Sequence, residues 1–148
     1  MHTPSNILLI DDDEDDSIIF AKVLSEIDPL CSFATVHDAN GLLESLDKSL
    51  PDIIFLDLVM PTLDGYYCLK QIRKNLKYRS LPVIVYSDLN DRLNTNMSYE
   101  LGANFFVVKP VSLAELASVL QHILNMDRNT LSGFCSISDF VLNHHINK

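Results

Sequence analysis

Uniformly apolar runs alternate along this chain with longer stretches in which apolar residues recur every three or four positions. Ile7-Leu8-Leu9-Ile10, Ile53-Ile54-Phe55-Leu56, Val83 to Tyr86 and Phe105 to Val108 have no polar alternation. Such runs suit strands of a parallel sheet buried on both faces. With a weaker run after Cys31 they predict strands at about 6–11, 31–36, 52–57, 82–87 and 105–109. Between them, Phe20, Val23, Leu24 and Ile27 have helical spacing and stop before Pro29. Ala39, Leu42, Leu43 and Leu46 repeat the pattern and close at Pro51. A third helix carries Leu69, Ile72 and Leu76, with Arg73, Lys74 and Lys77 near its end, where the helix dipole favours positive charge. A fourth places Leu93, Met97 and Leu101 four residues apart and ends at Gly102, a natural residue for a left-handed C-terminal cap. The fifth opens on Ser112 and Glu115 in capping-box spacing and continues through Leu113, Leu116, Ala117, Leu120, Ile123 and Leu124.

Alternating strands and helices predict an α/β fold, a doubly wound five-stranded parallel sheet with helices on both faces. Sites in such sheets lie outside the carboxyl ends of the strands. There the chain places Asp11 and Asp12 after the first strand, Asp57 after the third, Ser87 after the fourth and Lys109 after the fifth. Three converging carboxylates repel one another and need a proton or a cation between them. Oxygen donors without thiols or imidazoles point to a hard cation, and Mg²⁺ suits one or two carboxylates plus waters and phosphate oxygens. Asp57 would then be a nucleophile toward phosphorus, with Lys109 and Ser87 holding the transferred group.

Composition narrows the partners. The chain has 148 residues, room for one domain, and a net charge of −9, which argues against a surface that tracks nucleic-acid phosphates. A partner with a basic or mixed face fits better. Cys31, Cys68 and Cys135 are too scattered for a metal site or a disulfide framework, and read as reduced thiols of a cytoplasmic protein. The start has no basic segment before its apolar run, so no signal peptide is expected, and no apolar stretch reaches membrane-spanning length. An EF-hand is excluded because Asp16 falls at the glycine position and Lys22 at the bidentate glutamate position. The rest of the acidic run from Asp13 to Asp16 reads as helix cap and solvent face, Tyr66 and Tyr67 as packing, and His144 and His145 as a solvated tail.

Asp11-Asp12, Asp57 with Met60-Pro61 and Asp64-Gly65, Ser87 and Lys109-Pro110, in that order, resemble a response-regulator receiver domain of two-component signalling from about Asn6 to Met126. The resemblance implies a flavodoxin-like strand order 2-1-3-4-5, with a receiver over 1–126. Over the tail, 127–148, periodicity falls away, and Ile137, Phe140 and Val141 hint at one or two short amphipathic turns, an extra helix or a frayed end that could pack on the domain or on a second copy. The resemblance also implies Asp57 as phosphoacceptor, Mg²⁺ on Asp12, Asp57 and the Val59 carbonyl with Asp11 partly through water, and Lys109 on the phosphoryl group. Ser87 and Phe106 would be the switch residues, and a cis peptide would precede Pro110. Ser87 stands where Thr is frequent, Phe106 where Tyr is frequent, and Asp88 where a small residue is usual. The expected signalling surface is the fourth helix, fifth strand and fifth helix. The donor would be a histidine kinase or a histidine phosphotransfer protein, and the output would pass to another protein or a homodimer, with no nucleic acid and no membrane insertion. No separate substrate would be turned over. The alternatives are an unphosphorylated adaptor, a phosphatase built on Asp11-Asp12-Asp13, which leaves Asp57 idle, and a flavin module, which the acidic first loop disfavours.

Overall fold

A computed structural model describes residues 6–60 and 63–142, leaving aside the side chains of residues 39, 40 and 63. Pro61, His144 and His145 lie outside the described residues. The elements run β1 (Asn6–Ile10), α1 (Glu14–Ile27), β2 (Ser32–Val36), α2 (Ala39–Lys48), β3 (Ile53–Leu56), β4 (Val59–Met60), β5 (Leu63–Asp64), α3 (Gly65–Lys74), β6 (Val83–Ser87), α4 (Arg92–Glu100), β7 (Phe105–Val108), α5 (Leu113–Leu124), α6 (Arg128–Ser132), α7 (Ile137–Phe140) and β8 (Val141–Leu142). The main sheet has the order β2-β1-β3-β6-β7-β8, and each neighbouring pair runs in parallel. Its first five strands reproduce the expected order. The sheet has six strands, not five, because the tail adds β8 beside β7.

Alternate residues of each central strand enter opposite core layers. Leu8, Ile10, Ile54, Leu56, Val83 and Val85 pack with Leu42, Leu46, Leu69 and Ile72 of α2 and α3. Ile7, Leu9, Ile53, Phe55 and Ile84 pack with Phe20, Val23 and Leu24 of α1 and with Leu116, Val119, Leu120 and Ile123 of α5. Burial on both faces explains why these strands read as continuous apolar runs.

Three local expectations change. The third helix ends at Lys74, so Leu76 is not on it and is 78% exposed. Asn75 ends the helix, its side chain accepting from the Lys77 N–H and its carbonyl from Tyr78 and Arg79. On α4, Leu93 and Met97 face solvent, while Ser98 is buried and Tyr99 half-buried. Gly102 does take the left-handed conformation, φ 98°. Finally, the described residues contain no cis peptide, so the Lys109–Pro110 bond is trans, the form an X-Pro bond favours by about 0.5–1 kcal/mol.

The tail folds onto the domain. Phe140 is fully buried, its ring 6.2 Å from that of Phe106 and 5.1 Å from that of Tyr99. Val141 and Leu142 pair with Phe106 and Val107. Leu131 and Leu142 enter the layer built by α1 and α5, whereas Phe140 enters the other, so the tail closes the sheet edge from both sides. Burying a phenylalanine side chain contributes about 1.5–3 kcal/mol.

Candidate functional site

Strand register assembles the site. Ile10 pairs with Leu56, so the residues that follow them, Asp11 and Asp57, emerge side by side, and the Asp57 N–H continues the ladder to the Ile10 carbonyl at 2.9 Å. Ser87 pairs with Val108, and the Lys109 N–H donates to the Ser87 carbonyl at 3.0 Å. Asp11 and Ser87 are fully buried and Asp57 is 5% exposed. Asp12 is half-buried, and one carboxylate oxygen from each of Asp11, Asp12 and Asp57 lies within 4.8 Å of the others. Ligands about 2.1 Å from a Mg²⁺ ion are separated by roughly 3–4 Å, so this all-oxygen set fits such an ion after small adjustment, with waters reaching it past Asp12.

The Lys109 Nζ is the positive centre. It lies 3.0 Å from Asp11, 3.3 Å from Asp57 and 2.7 Å from Asp16, and 5.5 Å from the centre of the Tyr86 ring. Burial works against its charge, but the carboxylates outweigh this and hold its pKa above the ordinary lysine range. Asp16 is a site residue that the sequence reading assigned to cap and solvent face. Its signal was positional: Asp13 caps α1, accepting from the Asp15 and Asp16 N–H groups, and this turns the first helical turn toward the strand ends. The sequence reading also found no histidine at these strand ends, yet His37, just after β2, donates through Nδ1 to the Asp11 carbonyl at 2.8 Å. It braces the Asp11 backbone.

The remaining residues separate into near and far. The Val59 N–H donates to Asp57 Oδ1 at 3.2 Å, placing that backbone beside the carboxylate. The Ser87 hydroxyl accepts from the Leu89 N–H at 3.1 Å, so it is engaged with its own loop. Phe106 is not on the rim; it is fully buried in mid-strand, covered by Phe140. Asp88 is exposed.

Burial pushes the Asp57 carboxyl up to about 6 from its ordinary 3.8, with Lys109 opposing the rise and Asp11 adding to it. A carboxyl whose pKa is higher folded than unfolded favours the fold in acid, and that contribution is lost as pH rises from about 4 through about 6. Asp57→Asn, without divalent cations, is therefore expected to be more stable than the parent at neutral pH by about 2 kcal/mol, raising Tm by about 4–8 °C. The difference should vanish near pH 4. Thermal melts in EDTA at both pH values check this; a lower neutral-pH Tm would show that Lys109 outweighs the cost of burial.

Comparison with known proteins adds the following. Residues 7–121 match the family profile described as the response regulator receiver domain. A probable transcriptional regulator ycf27 of Guillardia theta is 32% identical over 136 residues, 92% of this chain and 51% of that protein. This chain spans about half the length of the curated relatives it matches. Among solved structures, the Mn²⁺-bound form of response regulator Rcp1 is 27% identical with a TM-score of 0.74, covering 84% of this chain and 97% of that one. The phosphorylated cyanobacterial phytochrome response regulator RcpA is 26% identical with a TM-score of 0.73, covering 83% and 91%.

Proposed function

We propose that this chain, which belongs to the response regulator receiver domain family, takes a phosphoryl group onto Asp57 with the help of Mg²⁺ and signals through the surface changes that follow. The observation that carries this reading is the meeting of buried Asp57 with Lys109, Asp11 and Asp12 at the carboxyl end of the sheet. The relatives described as Mn²⁺-bound and as phosphorylated support it.

An ionised carboxylate attacks phosphorus without a general base. An Asp57 oxygen forms the new P–O bond while the bond from phosphorus to the donor's imidazole nitrogen or acyl oxygen breaks, and the leaving group keeps the electron pair. Lys109 would exchange part of its contact with Asp11 and Asp16 for a phosphoryl oxygen, and the Ser87 hydroxyl would donate its proton to another. Asp11, Asp12, Asp57 and the Val59 carbonyl would hold Mg²⁺, which supplies positive charge to the converging oxygens when bound. Later hydrolysis of the acyl phosphate resets the switch, so no separate substrate is turned over.

The phosphodonor in this reading is a histidine kinase or a histidine phosphotransfer protein. The cleft beside Lys109 is lined by Ile19, Val111 and Leu113, apolar side chains that suit a donor's helical surface. We place the chain in the cytoplasm, where such donors and reduced thiols are found, and none of Cys31, Cys68 and Cys135 forms a disulfide. Among the described residues no helix is long and apolar enough to cross a membrane. The output goes to a downstream protein or a second copy.

Intact mass after incubation with Mg²⁺ and acetyl phosphate tests the reading. One added phosphoryl group is expected, absent in EDTA and absent from Asp57→Asn. An adduct that persists in Asp57→Asn would move the acceptor elsewhere and overturn the assignment.

A further inference from the structure

The edge that the family resemblance marks as the signalling surface already has an occupant. The segment from Arg128 to Leu142 lies along β7 between α4 and α5, with β8 pairing Val141 to Phe106 and Leu142 to Val107. Three kinds of contact hold it. Phe140 is sealed between the Tyr99 and Phe106 rings. The Tyr99 hydroxyl donates to the Cys135 carbonyl at 2.7 Å. The buried Asn104 amide donates to the Gly133 carbonyl at 2.9 Å while its oxygen accepts from Arg73 and from the Val83 N–H.

We propose that residues 128–142 are a tethered ligand of the α4–β7–α5 edge, and that a phosphoryl group on Asp57 weakens their grip, so a partner gains this edge only as the tail leaves it. The proposal rests on the phosphorylation reading above.

Two physical connections run from the site to the tail. The first passes through the loop after β6. The Leu89 N–H is held by the Ser87 hydroxyl, and a Ser87 that turns toward a phosphoryl oxygen aims its proton and lone pairs elsewhere. That loop leads into α4, which carries Tyr99 and hence the Cys135 contact and one wall of the Phe140 site. The second passes along β7. Lys109 is two residues beyond Val107, the partner of Leu142, and its N–H is bonded to the Ser87 carbonyl. A Lys109 drawn from Asp16 and Asp11 toward a phosphoryl group pulls on the strand end that β8 pairs with. Either movement disturbs contacts that need Phe106, Tyr99 and β7 in their present places. Coupling of this kind is reciprocal: a tail that phosphorylation loosens is a tail that opposes phosphorylation by the same factor.

The test is hydrogen exchange on the full chain with Mg²⁺, with and without acetyl phosphate, while intact mass reports the phosphoryl group independently. In the phosphorylated chain the peptide covering 134–142 is expected to exchange about tenfold faster, with β1 and β3 unchanged, as befits local rather than global opening. Tyr99→Phe, which removes one hydrogen bond and leaves no large cavity, is expected to speed tail exchange several-fold without phosphate. It should also raise the phosphorylated fraction at limiting acetyl phosphate. An adduct with unchanged or slower tail exchange overturns the proposal and leaves the phosphorylation reading standing. Absence of any adduct takes down both.

Discussion

Gly65→Ala is expected to destabilise the protein by about 3 kcal/mol or more, lowering Tm by roughly 6–12 °C, and to suppress phosphoryl uptake at Asp57 in the chains that remain folded. A Cβ at this position would stand 2.3 Å from the Asp57 carbonyl oxygen, 2.7 Å from Leu58 Cα and 3.1 Å from the Asp57 carbonyl carbon. These are backbone atoms of the loop that carries Asp57, so no side chain can rotate away. Either the start of α3 lifts off or the 57–58 backbone shifts. Both break the Gly65 N–H bond to the Leu58 carbonyl, 3.3 Å in the parent, and tilt the Asp57 carboxylate away from Asp11 and Lys109. Thermal denaturation and intact mass with acetyl phosphate read the two effects separately. Parental Tm with parental uptake would mean the close approach of α3 to the acceptor loop is not enforced.

That glycine illustrates why so much of this site was legible in sequence. Burial on both faces makes β1, β3, β6 and β7 nearly pure apolar runs, so the residue that ends each run, Asp11, Asp57, Ser87 or Lys109, stands out by chemistry. Parallel register then brings those ends together without further instruction. Asp64-Gly65 entered the sequence reading only as part of the family motif, and the steric reason for the glycine needed coordinates. Asp16 was hidden because a first-turn acidic residue is already accounted for by helix capping and the dipole. Only the rotation of α1 against the strand ends distinguishes a solvent-facing carboxylate from one 2.7 Å from Lys109. Ile137, Phe140 and Val141 hinted at packing, but where the tail goes was illegible for a different reason. β8 is two residues long and α7 four, too short for any periodicity, and what places them is tertiary: the Phe140 ring finds Tyr99 and Phe106. The stripe Leu93, Met97 on α4 misled because helical spacing records a face and says nothing of whether that face looks inward.

Lys109→Ala is expected to be the most damaging change to the site's electrostatics, and its effect should depend on both pH and Mg²⁺. The ammonium is one-tenth exposed and within 3.3 Å of three carboxylates, of which Asp11 is fully buried and Asp57 nearly so. Removing one partner from such a buried set costs about 3–5 kcal/mol, because the remaining charges lose their compensation. The Asp57 carboxyl, already pushed up to about 6, then loses the largest of the causes that lower it, keeps the Val59 N–H, and rises further. A raised carboxyl pKa favours the fold in acid and loses that contribution as pH climbs through the folded value. The deficit that comes from Asp57 should accordingly be small near pH 4 to 5, grow as pH climbs past about 6, and be complete only above the variant's own, higher folded value. Lysine titrates well above this range, so Lys109 stays charged in the parent throughout, and its pair with Asp57 forms as that carboxyl ionises through about 6. Millimolar Mg²⁺ should restore part of the loss at neutral pH, since a cation binding only the folded state stabilises it by mass action. Phosphoryl uptake should nonetheless remain at least about tenfold slower, because the charge aimed at the phosphoryl oxygens is gone. Urea denaturation at acid and neutral pH, each in EDTA and in Mg²⁺, gives the four numbers required. A deficit that is the same in all four would assign the loss to packing of the lysine stem and leave the carboxylate cluster without the electrostatic role described for it.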